Sequence, residues 1–246
     1  MKYSIVIPTL NCAEELLRLL ESIHFFSIDK LAEIIIIDAE STDGTISVAH
    51  QFDTTIIKKE GISKGAGRTL GTKYAQGDVI INIDSDVMIT ETWFDAIKES
   101  IQHHDIVAGY SPHPKRGDIP RVPIYINGQD ITWPFCNIAH KKEVFTKIGD
   151  ILDTEYSEDI DFNYRCVKAG YTIHYNPKMK VMHYHTMNNS SFIKQSFMYG
   201  KCRAIINKRY PELSHQHQHG ASLKNMIRLG IGGAGFFYEK LVGAHK

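Results

Sequence analysis

Gly77-Asp78-Val79-Ile80-Ile81-Asn82-Ile83-Asp84-Ser85-Asp86-Val87 is the stretch whose reading decides the fold. Val79 to Ile83 is a short, mostly apolar, β-branched run, the pattern of a strand covered on both faces. It opens onto two carboxylates separated by one serine. Burying Asp84 and Asp86 unpaired would be costly, and open α/β sheets take their ligands at the carboxyl ends of central strands. Both points favour a divalent cation at the pair. A solvated Asp-Ser-Asp turn is the alternative that the tripeptide leaves open.

On the N-terminal side the same plan repeats. Tyr3 to Ile7 is an apolar strand, Pro8-Thr9-Leu10-Asn11 a turn, and Leu16, Leu17, Leu20 and Ile23 recur at helical spacing. Ile34 to Ile37 is a second buried strand ending on Asp38, with Ser41 to Thr45 opening the next helix. A strand at Thr55 to Lys58 and a glycine-rich turn, Gly61 to Arg68, lead back to the central strand. Alternation of this kind predicts an α/β fold with a doubly wound, mainly parallel sheet. The glycine-rich turn lacks the Gly-Lys-Ser/Thr of a P-loop and stands before the fourth strand, so it is neither that loop nor a dinucleotide fingerprint. Its glycines either permit a tight turn or, with Lys64 and Arg68, form a phosphate cradle at a helix N-terminus.

On the C-terminal side a helix from Trp93 to Ile101 and a strand from Asp105 to Tyr110 complete the regular half. Residues 111 to 130, rich in Pro and Gly, read as a functional loop facing a second substrate. Phe162, Cys166 and Val167 share a helical face, which puts Glu158 and Asp159 in that helix's first turn. There they are either simple helix-terminal anions or acid–base groups. Lys180 to His185 alternates as a strand with His183 and His185 on one side, a candidate ligand pair.

Taken together these residues resemble family 2 glycosyltransferases of the GT-A fold. The resemblance runs in order through Ser4 to Asn11, Ile37 to Thr45, Gly65 to Arg68, Ile83 to Asp86, Ser157 to Arg165, and Gly170-Tyr171 with His183. It departs at Thr69, where the family often has Asn. The resemblance implies an inverting transferase that moves a sugar from a nucleotide-diphosphate donor, UDP first and GDP next, to a hydroxyl acceptor such as a glycan or a lipid-linked sugar. It further implies that Pro8, Thr9, Asn11 and Asp38 line the nucleotide pocket, with Asp38 accepting a hydrogen bond from the base. Ser41, Lys64, Gly65, Arg68, Asp84 and Ser85 are counted with the donor contacts. Asp86, with Asp84 and His183 or else His185, is expected to hold Mn2+ or Mg2+. Asp159 matches the catalytic base, with Glu158 beside it.

Two enzymatic or binding alternatives remain on the same scaffold: a sugar-1-phosphate nucleotidyltransferase, and a non-catalytic nucleotide-sugar-binding protein. The first normally carries an Arg-containing glycine-rich loop after its first strand, where this chain has Pro8 to Asn11. The second sits poorly with Asp84, Asp86 and Asp159 all being present.

The overall charge of zero hides an asymmetry. From Lys178 onward there are 11 Lys and Arg against Glu212 and Glu239, a formal +9 that the preceding residues balance. Residues 1–188 are expected to form the catalytic domain, 1–110 its donor half and 111–188 its acceptor half, with 189–246 a basic helical extension. Interleaved aromatics and cations there suit either an anionic membrane surface or packing on the catalytic domain; no nucleic-acid-binding module accompanies the charge. The immediate strand pattern leaves no room for a signal peptide, giving an expectation of a cytoplasmic protein, with peripheral attachment at the inner face of the cell membrane if the tail binds lipid. Four scattered cysteines show no metal or disulfide spacing.

Overall fold

The computed structural model describes residues 1–115, 123–184, 189–213, 230–236, 238 and 239, without the side chains of 189–192, 194 and 195. The β-branched runs become strands where the sequence places them. β1 (Tyr3–Thr9), β2 (Ala32–Asp38), β3 (Thr55–Lys58) and β4 (Val79–Ile83) pair in parallel in the order β3-β2-β1-β4. Every residue of β4 is buried. Alternate residues serve opposite faces: Ile5, Ile7, Ile81 and Ile83 pack with Leu16, Leu19, Leu20 and Ile23 of helix α1 (Ala13–Phe25). On the other face Val6, Ile35, Ile37 and Ile80 join a separate cluster. The short α2 (Thr45–Ala49) links β2 to β3, and α3 (Lys64–Tyr74) links β3 to β4.

The glycine-rich stretch differs from its sequence reading. Ser63 caps α3 by accepting the Ala66 N–H (3.2 Å), so Gly65, Gly67 and Arg68 lie inside the helix rather than in a turn. Glycine is needed there for close approach. A Cβ at Gly71 would stand 2.4 Å from Val6 Cγ1, and one at Gly65 would stand 1.9 Å from the Leu152 carbonyl oxygen.

Beyond β4 the sheet becomes mixed. β5 (Val87–Ile89), α4 (Trp93–Ser100) and β6 (Ile106–Tyr110) are followed by a small hairpin of β7 (Tyr125–Ile126) and β8 (Gln129–Asp130). β9 (Asn137–Lys141) then enters between β4 and β6, antiparallel to both. After α5 (Lys142–Ile148) and α6 (Glu158–Lys168), β10 (Ile173–His183) pairs parallel to β6 and antiparallel to β5, closing an eight-stranded order β3-β2-β1-β4-β9-β6-β10-β5. Asn137 fixes the centre of this half. It is buried, accepts from Trp93 Nε1 (2.8 Å), and donates to the Met179 (2.8 Å) and Tyr110 (3.2 Å) carbonyls.

The last long helix, α7 (Asn189–Arg209), has two occupied faces. Cys202, Ala204 and Ile206 are buried, and Ile206 belongs to the cluster that holds Phe162 of α6. On another side Gly200 lies against Gly232 of the helical residues 230–236, so tightly that a Cβ at 200 would stand 1.8 Å from the Gly232 carbonyl oxygen. The glycines of the tail therefore let two helices touch. Among the described residues no helix is long and apolar enough to cross a membrane.

Candidate functional site

The loops that follow β1 and β2 are laced together at the carboxyl edge of the sheet. Asp38, wholly buried, accepts from Thr9 Oγ1 (2.8 Å), the Ser41 N–H (2.8 Å) and Ser41 Oγ (2.6 Å). Ser41 Oγ in turn accepts the Asn11 N–H (2.8 Å), and Asn11 Oδ1 accepts the Thr42 N–H (2.8 Å). Asn11 adopts a φ of 47°, a left-handed conformation that Asn tolerates better than most residues. Asp38 and Ser41 thus build the wall from behind. Both oxygens of Asp38 accept hydrogen bonds inside the protein, and its side chain has no exposed surface.

In front of that wall lies a cleft of about 330 Å³. Pro8, Thr9 and Asn11 line it from β1, Lys64 and Gly67 from α3, and Asp84, Ser85 and Asp86 from the end of β4. Gly65 and Arg68 take other positions than a phosphate cradle would need. The Gly65 N–H is spent on the Thr154 carbonyl (3.1 Å), and Arg68 is only 1% exposed. A buried guanidinium needs partners. Arg68 Nη2 donates to Asp84 Oδ1, its Nε lies 3.9 Å from Glu158 Oε1, and its planar group stands 5.4 Å from the centre of the Phe135 ring. Arg68 is therefore the tie between the β4 carboxylates and the start of α6.

Electrostatics follow from this crowding. Burial would raise the pKa of Asp84, but the Lys64 and Arg68 charges outweigh it and hold the carboxyl below its ordinary value. Lys64 is raised in return, chiefly by Asp84. Glu158 is pushed up to about 8 by burial and then by its neighbour Asp159. Burial likewise lifts Asp159 to about 6, with the Ile160 N–H (2.8 Å) and Arg68 opposing. Asp84 is among the charges that act on Asp159, so the two acidic groups share one electrostatic environment.

Asp84, Asp86 and His183 each offer a ligand atom, and those atoms all lie within 4.8 Å of one another. His183 Nε2 stands 3.2 Å from Asp86 Oδ1. Although burial works against it, hydrogen bonds to Asp86 and Cys136 raise the imidazole pKa to about 11. Two ligands on an ion bound at about 2.1 Å stand from about 3 Å apart when adjacent to about 4.2 Å when opposite, and the 3.2 Å between His183 Nε2 and Asp86 Oδ1 falls in that range. His185 lies outside the described residues.

Several contacts were not legible as functional. Cys12, Glu15 and Glu155 also line the cleft, and Cys136 sits beside His183. Cys136 carries no local signal, because its approach depends on β9 entering between β4 and β6. The departure at Thr69 has a structural account: its hydroxyl accepts the Ile151 N–H (2.9 Å), pinning the segment that precedes α6.

The cleft stands at the carboxyl edge of an α/β sheet, where such sheets take their ligands, and Asp84 and Asp86 of the carboxylate–imidazole trio line it. Residues 4–154 match the family model described as glycosyl transferase family 2, and the chain belongs to that family. It is similar to an uncharacterized glycosyltransferase, YfnE, of Bacillus subtilis, 32% identical over 112 residues that cover 43% of this chain and 27% of YfnE. It is also similar to the poly(ribitol-phosphate) beta-N-acetylglucosaminyltransferase TarS of Staphylococcus aureus, 31% identical over 115 residues, 44% of this chain and 20% of TarS. These matches span about a quarter of the relatives' length. Among solved structures, TarS 1-349 in complex with UDP-GlcNAc gives a TM-score of 0.69 at 14% identity, covering 99% of this chain and 74% of that one. The mannosyltransferase PcManGT from Pyrobaculum calidifontis, in complex with GDP-Man and Mn2+, gives 0.66 at 16%, covering 98% and 75%. At such identities the likeness shows the shared fold.

Proposed function

We propose that this chain is a metal-dependent, inverting glycosyltransferase that moves a sugar from a nucleotide-diphosphate donor to a hydroxyl of a glycan or lipid-linked sugar. One observation carries the reading: the ligand atoms of Asp84, Asp86 and His183 gather within 4.8 Å at a cleft lined by Pro8, Thr9 and Asn11, while Arg68 joins Asp84 to the helix that starts at Glu158 and Asp159. The TarS and PcManGT complexes, with UDP-GlcNAc and with GDP-Man and Mn2+, support a nucleotide-sugar donor, and UDP and GDP are the nucleotides to test first.

Asp84, Asp86 and His183 would hold the cation, His183 as neutral imidazole; with carboxylate and imidazole together, Mn2+ suits the set better than Mg2+. When bound, it supplies positive charge beside the departing diphosphate. The remaining work falls to the chain itself. Lys64, drawn to Asp84, presents a second positive charge to the cleft. Thr9, Asn11 and Ser41 hold the nucleotide wall rigid through Asp38. Asp159, ionised above a pKa of about 6, takes the proton of the attacking hydroxyl. Burial suits that role, because it raises a carboxylate toward the working pH. Arg68 keeps Asp84 and Glu158 at a fixed separation, so the donor-side and acceptor-side carboxylates stay in register.

Residues 1–188 are proposed as the catalytic domain, with α7 packed on it rather than spread on lipid; the exposed Ile193 and Tyr238 leave a cytoplasmic-face membrane contact as a role for the outer side of the tail. The decisive experiment is a thermal-shift screen of UDP- and GDP-sugars with and without Mn2+. A ligand that binds the folded state raises Tm by mass action, so a Mn2+-dependent rise with one nucleotide sugar is expected. Equal Tm across the whole panel would overturn the reading.

A further inference from the structure

Helix α7 and Tyr210, which follows it, contact the segment that carries Asp159 on either side of that residue. Cys202 Sγ lies 3.6 Å from Thr154 Oγ1, and the Tyr199 ring packs edge-on against Tyr156 with centroids 5.1 Å apart. Ile206 shares a core cluster with Phe162, Tyr164 and Cys166. At the far end Asp161, with no exposure at all, accepts from Tyr210 Oη (2.7 Å) and stands 3.2 Å from Arg209 Nε. Tyr164 and Tyr210 stack at 3.9 Å. Residues 199, 202, 206 and 209 recur at helical spacing, so one stripe of α7 makes these contacts.

We infer that α7 is a positioning element for the base and that Asp161 and Tyr210 set the position of Asp159. The geometry of α6 gives the reason. Residues two apart on an α-helix point about 200° away from each other, so Asp161 is drawn back toward α7 from the same turn that directs Asp159 forward. Asp161 accepts two hydrogen bonds, from Arg165 Nε (2.9 Å) and Tyr210 Oη (2.7 Å), and has Arg165 Nη2 (2.8 Å) and Arg209 Nε (3.2 Å) beside it as ion-pair partners. Ser157, at a φ of 64°, fixes the direction in which the chain enters the helix without a side-chain cap of its own. The tie to α7 thus takes over part of what a cap would do. Its loss would let the first turn of α6 drift, and misplacing a reacting group by about 1 Å can cost on the order of a hundredfold in rate.

This inference rests on the proposed function, and its test separates the two. Release of UDP or GDP from the nucleotide sugar chosen by the thermal screen, with water as acceptor and Mn2+ present, is measured for the wild-type protein and for Tyr210→Phe, which keeps the ring stack and loses only the hydroxyl. The variant is expected to lose about tenfold in kcat, with KM for the donor and the donor-induced Tm shift unchanged. A kcat within twofold of wild type overturns the positioning role, as does a fall in Tm alone. If Tyr210→Phe does not fold, Tyr199→Leu reads the same contact stripe at its other end, with the same expected split and the same overturning result. Wild-type protein with no turnover of any donor would count against the proposed function itself.

Discussion

The two halves of the sheet hold their carboxylates in different ways. In the β3-β2-β1-β4 half, Asp38 is satisfied by Thr9 and Ser41 from two adjacent loops. In the other half, Asp159 and Glu158 are held by groups far away in sequence: Arg68 from α3, and α7 acting through Asp161. The first arrangement locks the carboxylate between two loops. The second keeps acids partly protonated near neutral pH, Asp159 at about 6 and Glu158 at about 8. A binding wall needs rigid, charged groups; a proton acceptor needs one whose charge is nearly balanced.

The contrast is open to direct attack. Asp86→Asn should have the largest effect, lowering Mn2+-dependent nucleotide release on the order of a thousandfold, because it removes a cation ligand; measuring Mn2+ affinity by calorimetry locates the loss in binding. Asp159→Asn should lower kcat by about 10²- to 10⁴-fold and leave the donor-induced Tm shift intact. If both variants lose donor binding equally, the division between the halves is wrong.

Glu158→Gln should have a smaller and more specific effect. Glu158, at about 8, stays protonated while Asp159 titrates near 6, so the acid limb of the pH–rate profile should hold its position; a limb that moved to lower pH would mean that Glu158 is ionised there. The sign for stability is opposite to that of a salt-bridged acid. Glu158 binds its proton more tightly when folded, so its contribution is full below pH about 4.5 and is lost as pH rises through about 8. Chemical denaturation should therefore show Glu158→Gln gaining stability relative to wild type at pH 8 more than at pH 5. Smallest in catalytic effect is Gly71→Ala, whose Cβ must displace Val6. It should lower Tm by several degrees, a cost of about 1–3 kcal/mol, with kcat per folded molecule preserved.

Legibility in the sequence followed the same division. β3 was readable to the residue, and β4 with its two acids came from one β-branched run, because local propensity and burial agree there. The start of α3 was misread as a turn because glycine is a weak helix former; what keeps Gly65 and Gly71 helical is contact with Leu152 and Val6, which no local window contains. Arg68 reads as a donor contact from its charge, its place at a helix start and the family resemblance; its burial between Asp84 and Glu158 depends on partners that no local window contains. The tail's basic and aromatic pattern was equally consistent with lipid and with protein until Ile206 and Cys202 were seen to be buried.

The entry of β9 between β4 and β6 also constrains how the chain reaches this state. Ile83 waits for Asn137 as its register partner, and all of α4, β6 and the hairpin are threaded in between. Such a pairing has high contact order, and closing so long a loop precedes the contacts that reward it. The β3-β2-β1-β4 half can assemble from neighbours, whereas the other half gains its central strand only once Asn137–Lys141 has been made. During synthesis, the edge of β4 beside Asp84 therefore stays without its ladder until the ribosome has passed residue 141.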